Sequence, residues 1–344
     1  MSELTIVTAF FDIGRKNFEI ISRDNETYIE YFECWARINN KIVVYTQPQF
    51  KDKILSIRKK YNQEDNTTII LIEDIDLIDG TMLHKYEELV KKRHLENFKV
   101  LQNTISANKP RYDYLMLLKY WFLMDAEKKG FIDDFAVWLD FGYGHGDFFA
   151  EPKEFDFKWK YDFDRKITLF LCNDLDDMPM YEVVRCSLNY VMGFMVVAPK
   201  ELCEPLWTYV REAADMLTRI GFVDDDQTVL LLAYRNHMES FKTLRSDWFM
   251  PLVTYGGMHL TLMKDIKDKN DNGAEEDWKA PIHRLFWKSK KNRTGIYKVV
   301  DGFRNIKGNN RENSADVICQ KYARDCAQRT YEQVYEIFIN DRSQ

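Results

Sequence analysis

No stretch of this chain is apolar enough to span a bilayer. The longest candidates, around Tyr112 to Met124 and Tyr190 to Ala198, are too short or carry Lys119. The opening Met-Ser-Glu-Leu lacks the basic and then apolar run of a signal peptide. The six cysteines form no C-x-x-C pair, so scattered reduced thiols are expected. A cytoplasmic location follows as the expectation. No P-loop and no G-x-G-x-x-G is present, which removes the main support for a P-loop kinase or a dinucleotide dehydrogenase. No H-E-x-x-H or other close histidine spacing exists, against a zinc hydrolase. Repeats and low-complexity blocks are also missing. The formal net charge is −6, which argues against general duplex nucleic-acid binding.

What is present is enough for a large core: 344 residues, 45% hydrophobic and 15% aromatic. The first 140 residues alternate strand and helix signals. Strands are expected at Thr5 to Phe10, Lys41 to Tyr45, Thr67 to Ile72 and Phe135 to Asp140. Helices are expected at Tyr28 to Asn39, Phe50 to Tyr61 and about Thr81 to Ile105. After Pro110 comes an amphipathic helix, with Leu115, Leu118, Phe122 and Ala126 on one face. The second half is less regular. Ile167 to Leu171 and Tyr190 to Ala198 read as strands; Pro205 to Ile220 and the segment after Asp224 read as helices. This alternation argues for a mostly parallel sheet with helices on both faces.

The most informative stretch is Trp138-Leu139-Asp140-Phe141-Gly142. A short apolar run ends in an acid, and Gly142, Gly144 and Gly146 follow at alternate positions. Ligands of open α/β sheets bind at the carboxyl ends of the strands. A carboxylate there can hold a divalent ion that neutralises a diphosphate, or it can cap the next turn. The turn after the first strand carries Asp12 and Arg15, and the two strand ends together suggest a nucleotide-sugar site. Asp224-Asp225-Asp226-Gln227 reads as a capping-box helix start or as a source of a general base. His259 follows Gly256 and Gly257, as a metal ligand or as an ordinary loop histidine. Lys119 interrupts an apolar helix; snorkelling to solvent is favoured over reaching a phosphate. Arg284, Lys288, Lys290, Lys291, Arg293 and Lys298 lie with Trp287 and Tyr297 in a stretch without acids. This is a solvated basic face or a site for phosphates or anionic lipid.

Three segments, Thr5 to Arg15, Val137 to Tyr143 and Val223 to Thr228, resemble in this order the HtrL/YibB family of bacterial proteins. The family is associated with lipopolysaccharide core gene neighbourhoods. The order of parts also resembles GT-A glycosyltransferases. That resemblance implies an α/β, GT-A-like fold: a mixed, mainly parallel sheet flanked by helices, with a C-terminal extension. It implies a catalytic domain over 1–263, with halves 1–147 and 148–263, a polar loop over 264–278 and a basic extension over 279–344. Donor contacts would come from Thr8, Ala9, Phe10, Asp12, Arg15, Lys119, Asp140, Phe141 and Gly142. Gly193 and Tyr143 would face the acceptor, and Asp225 or Asp226 would be the catalytic acid. Asp140 and His259 would hold Mn2+ or Mg2+, although Gly142 stands where such enzymes carry a second acid. The implied reaction moves a sugar from a nucleoside-diphosphate donor, with UDP expected, to a surface glycan or glycolipid such as lipopolysaccharide core or capsule. The 284–298 segment would contact anionic membrane at the inner face. Rival readings are a sugar nucleotidyltransferase or nucleotide-sugar hydrolase, and a non-catalytic carbohydrate-binding scaffold.

Overall fold

A computed structural model describes residues 2–18, 22–92, 98–99, 109–146, 155–246 and 250–256. All of these lie in one compact unit, Met1–Asp268. His259, the basic segment 284–298, and the boundaries expected at 263 and 278 lie outside the described residues.

The core is a seven-stranded sheet: β1 (Leu4–Phe10), β2 (Ile42–Thr46), β3 (Thr67–Leu71), β4 (Phe135–Leu139), β5 (Ile167–Leu171), β6 (Val191–Pro199) and β7 (Phe241–Arg245). Their order is β3-β2-β1-β4-β6-β5-β7. All run parallel except β6, which is antiparallel to both β4 and β5. The fold is therefore the expected α/β class with a mixed, mainly parallel sheet. Strands β2, β4 and β6 are buried along their whole length. Their unbroken Val, Ile, Phe and Trp runs are what a sheet covered on both faces requires. Each large apolar side chain buried this way contributes about 1.5–3 kcal/mol.

The helices are α1 (Asn25–Trp35), α2 (Lys51–Lys60), α3 (Gly80–Lys91), α4 (Pro110–Lys128), α5 (Met180–Cys186), α6 (Cys203–Arg219), α7 (Asp226–Asn236) and α8 (Pro251–Tyr255). Asp24 caps α1 by accepting from the Thr27 N–H at 2.8 Å. Pro110 opens α4, where its missing N–H costs nothing. The helix α4 departs from the amphipathic expectation. Asp113, Tyr114, Lys119, Tyr120 and Met124 are buried as well as Leu118, Phe122 and Ala126. It is covered by the sheet and by neighbouring helices, so it has no broad solvent face. In contrast, α6 has a clean apolar stripe at Leu206, Val210, Ala213 and Leu217, and Gly221 at φ 85° follows its end.

The chain order reverses between β1 and β4. Strands β2 and β3 lie to one side of β1, and β4 begins the other side. In open α/β sheets ligands bind at the carboxyl ends of the strands at such a switch point. Because β6 is reversed, its beginning, Val191 to Gly193, reaches the same edge.

Candidate active site at the switch point of the sheet

Asp140 directly follows β4. Its backbone N–H continues the ladder to the Phe194 carbonyl at 2.9 Å. The turn behind it closes through backbone alone, from the Tyr143 N–H to the Asp140 carbonyl at 2.9 Å. The carboxylate is thus not used as a turn cap. Its Oδ1 accepts from Trp138 Nε1 at 2.7 Å and meets Lys119 Nζ at 2.8 Å. One-third of the Asp140 side chain stays exposed.

Lys119 does not snorkel. It is 3% exposed, and its ammonium also meets Asp226 Oδ2 at 2.6 Å and the Gly193 carbonyl at 3.2 Å. Its helix packs against the sheet and neighbouring helices on the face that carries Lys119, so the side chain ends on buried partners and not in solvent. Burial works against its charge, but Asp140 and Asp226 outweigh that and hold it protonated far above neutrality. Burial raises the Asp226 carboxyl, with Lys119 opposing and Asp140 adding to the rise.

The three consecutive acids at the start of α7 have three different settings. Asp224 is buried and paired with Lys99 at 2.7 Å, and it accepts from the Thr228 hydroxyl at 2.8 Å. Asp225 is the N-cap, accepting from the Gln227 N–H at 3.2 Å. It is half-buried, and its carboxyl is pushed up to about 8, first by burial and then by the charges of Asp224 and Asp226. Asp226 turns inward to Lys119. Gly193 makes this possible: a Cβ there would overlap the Asp226 carboxylate. Gly193, expected on the acceptor side, is therefore the residue that admits Asp226.

The loop after β1 lies at the same edge. Asp12 is a turn former: its Oδ1 accepts from the Gly14 N–H at 2.8 Å and its Oδ2 from Asn25 Nδ2 at 2.9 Å. These bonds, Asn25 first, hold the Asp12 carboxyl below its ordinary range. The fold places Gly14 at φ 75° and so turns Arg15 inward. Arg15 is 7% exposed, with its guanidinium over Phe18 at 4.8 Å and Tyr112 at 5.2 Å. Its Nε and Nη1 are buried and have no hydrogen-bond partner among the described residues. Unsatisfied guanidinium donors of this kind are costly and suit an anion.

Several of the residues expected to make contacts also pack in the core. Phe141 is stacked between Phe10 at 4.7 Å and Phe32 at 4.4 Å. Tyr143, expected on the acceptor side, is fully buried beside Phe194, with its hydroxyl bonded to the Leu252 backbone. Thr8 is also fully buried, while Ala9 is half-buried within β1. At Gly142 a Cβ would lie 3.0 Å from the Tyr28 ring, so a larger residue there would need the α1 side chains to shift. Trp138, Lys99 and the buried Asp113 were not anticipated. Trp138 sits two residues before Asp140, a spacing that puts both side chains on one face of an extended chain.

The fit of a divalent ion can be judged from these donors. Three oxygens converge on Lys119 Nζ, from Asp140, Asp226 and Gly193, and all three are taken by the ammonium. Among the described residues no three His, Cys, Asp or Glu side chains are placed to hold a metal. The three-oxygen seat around Lys119 therefore suits a lysine cation rather than a dication, while His259, the other ligand expected for a metal, lies outside the described residues.

The model of the family described as "Bacterial protein of unknown function (HtrL_YibB)" matches residues 2–255, which include every described site residue above but not His259. The chain belongs to the HtrL/YibB family. Protein HtrL of Escherichia coli (strain K12) is 26% identical over 267 residues, covering 72% of this chain and 90% of the relative. Among solved structures, apo mouse xyloside xylosyltransferase 1 aligns over 71% of this chain and 85% of its own, with a TM-score of 0.38 and 8% identity. Among the described residues no helix is long and apolar enough to cross a membrane.

Proposed function

We propose that this member of the HtrL/YibB family is a glycosyltransferase that uses a nucleoside-diphosphate sugar, with UDP the expected nucleotide. One observation carries the reading. Arg15 presents buried donors that have no partner among the described residues, in the loop after β1, at the strand edge where Asp140, Lys119 and Asp226 form a charged centre. Sugar transfer from such a donor builds negative charge on a leaving diphosphate, and a preorganised guanidinium stabilises charge as it develops. In an inverting transfer a carboxylate takes the acceptor proton. Asp225 suits that role better than Asp226, which is locked to Lys119. The raised Asp225 carboxyl would be a base of matched strength near neutral pH.

The acceptor in this reading is a bacterial surface glycan, lipopolysaccharide core or capsule, met at the cytoplasmic face of the inner membrane. The basic segment 284–298 is proposed as the membrane or anionic-glycan contact. A nucleotide-sugar hydrolase would need the same donor site and differs only in what attacks the sugar.

A thermal-shift panel of UDP, GDP, CMP and their sugars tests the proposal. Selective stabilisation by one nucleotide family supports it. A flat response from folded protein moves the reading to a carbohydrate-binding scaffold.

A further inference from the structure

Lys119 has a property that donor binding alone does not require: it is saturated. An ammonium has three N–H donors. Here they face Asp140 Oδ1 at 2.8 Å, Asp226 Oδ2 at 2.6 Å and the Gly193 carbonyl at 3.2 Å. The three acceptors come from three separate elements: the end of β4, the start of α7 and the start of β6. Lys119 itself comes from a fourth, α4. Two features of the sequence exist to allow this geometry. Gly193 leaves room for the Asp226 carboxylate, and Trp138 donates at 2.7 Å to the same Asp140 Oδ1 that meets the ammonium, fixing that oxygen in place.

We propose that the Lys119 ammonium is the resident cation of this centre, standing where a divalent metal would otherwise sit, and that the donor diphosphate binds without metal. The inference rests on the donor reading above. A hard dication such as Mg2+ requires near-octahedral oxygen coordination and parts reluctantly with its water. The seat offers three oxygens that already surround a fixed positive charge. Lys119 cannot step aside, because its stem is enclosed by α4 and its neighbours and it is 3% exposed. A dication on the outward edge of Asp140 would face that ammonium across a single carboxylate. Gly142, at the position of the absent second acid, contributes no ligand and is kept small by Tyr28.

Lys119 is then a positioning residue. With its protons committed, it does not touch the diphosphate. It fixes the Asp140 and Asp226 carboxylates and offsets one of their two charges, so that the open guanidinium of Arg15 meets the anion directly.

The test is isothermal titration of UDP, with GDP and CDP in parallel, into full-length chelator-treated protein, once in EDTA and once in manganese. The expected result is a dissociation constant that agrees within about threefold between the two conditions. Binding that appears only with manganese overturns the inference and leaves the transferase reading in place. Absence of binding for every nucleotide in both conditions removes the donor reading and this inference with it. Lys119→Ala supplies a second arm. In EDTA its affinity is expected to fall by at least about tenfold. Manganese, entering the vacated seat, is expected to restore part of it, a rescue that a purely structural role would not give. Undiminished affinity of a folded Lys119→Ala in EDTA contradicts the proposal. If that variant does not fold, the wild-type comparison decides.

Discussion

A Cβ on Gly193 would overlap the carboxylate of Asp226, two residues that lie 33 positions apart in sequence and touch across the β6–α7 junction. The glycine is thus paired with the acid. Gly193→Ala is expected to push Asp226 off Lys119 and to cost about 1–3 kcal/mol of stability, the usual range for overpacking. Chemical denaturation measures the cost, and donor turnover should fall with it. An alanine variant with unchanged stability and turnover would show that Asp226 is free to move.

Asp113 and Asp224 are both buried near Lys99, and they should respond oppositely. Burial raises the Asp113 carboxyl well above its ordinary range despite the nearby lysine, and neither oxygen has a hydrogen-bond partner among the described residues. Burial thus disfavours its ionised form. Asp113→Asn should therefore change stability by less than about 1 kcal/mol between pH 6 and 8, as a near-isosteric neutral replacement. Asp224→Asn strands the buried Lys99 ammonium and should cost about 3–5 kcal/mol. Parallel urea melts check both; equal losses would mean that Asp113 is ionised.

The raised Asp225 carboxyl gives a pH dependence of definite sign. Its value moves from 3.8 to about 8, so the fold favours the protonated form. The stability this contributes is fully present below pH 3.8 and is lost as pH rises through about 8. Activity runs the other way, since a general base works deprotonated: the rate should climb with pH and level off above about 8. Asp225→Asn should remove that limb. A profile unchanged by the substitution would assign the limb to another group.

Arg15 is the expected anion contact. Arg15→Gln removes the charge and should weaken nucleoside-diphosphate binding by roughly 10- to 100-fold, the equivalent of a lost charged hydrogen bond. Titration calorimetry reads this directly. Unbound nucleoside, which lacks the diphosphate, should show no such difference between wild type and variant.

Much of the fold was legible because buried parallel strands announce themselves. The runs around Val43, Val137 and Val196 are almost wholly apolar, the run around Ile6 is broken only by Thr5 and Thr8, and all became strands of the sheet. The edge strand β7 was not legible. Phe-Lys-Thr-Leu-Arg is half-exposed, and its pattern is shared by many loops. The short helix α5 was missed for a similar reason, since seven residues are too few to display a helical period. At the site, Asp140 and the Asp224 to Asp226 run stood out by their place in the sequence. The role of Lys119 did not. A lysine in an apolar helix snorkels unless something buried meets it, and its partners are 21 and 107 positions away. Gly193 was marked as important, but only tertiary contact shows that it faces Asp226. Phe141 and Tyr143 closely follow Asp140 in sequence, yet they pack into the core because the turn after β4 folds back under α1.

The central claim is that a nucleoside diphosphate binds at the β1–β4 switch point. A crystal structure of the protein soaked with UDP tests it most directly. The account predicts the diphosphate against Arg15, at the carboxyl ends of β1 and β4 and beside the exposed edge of Asp140. UDP seated elsewhere on the molecule, with the Arg15 guanidinium untouched, would contradict it.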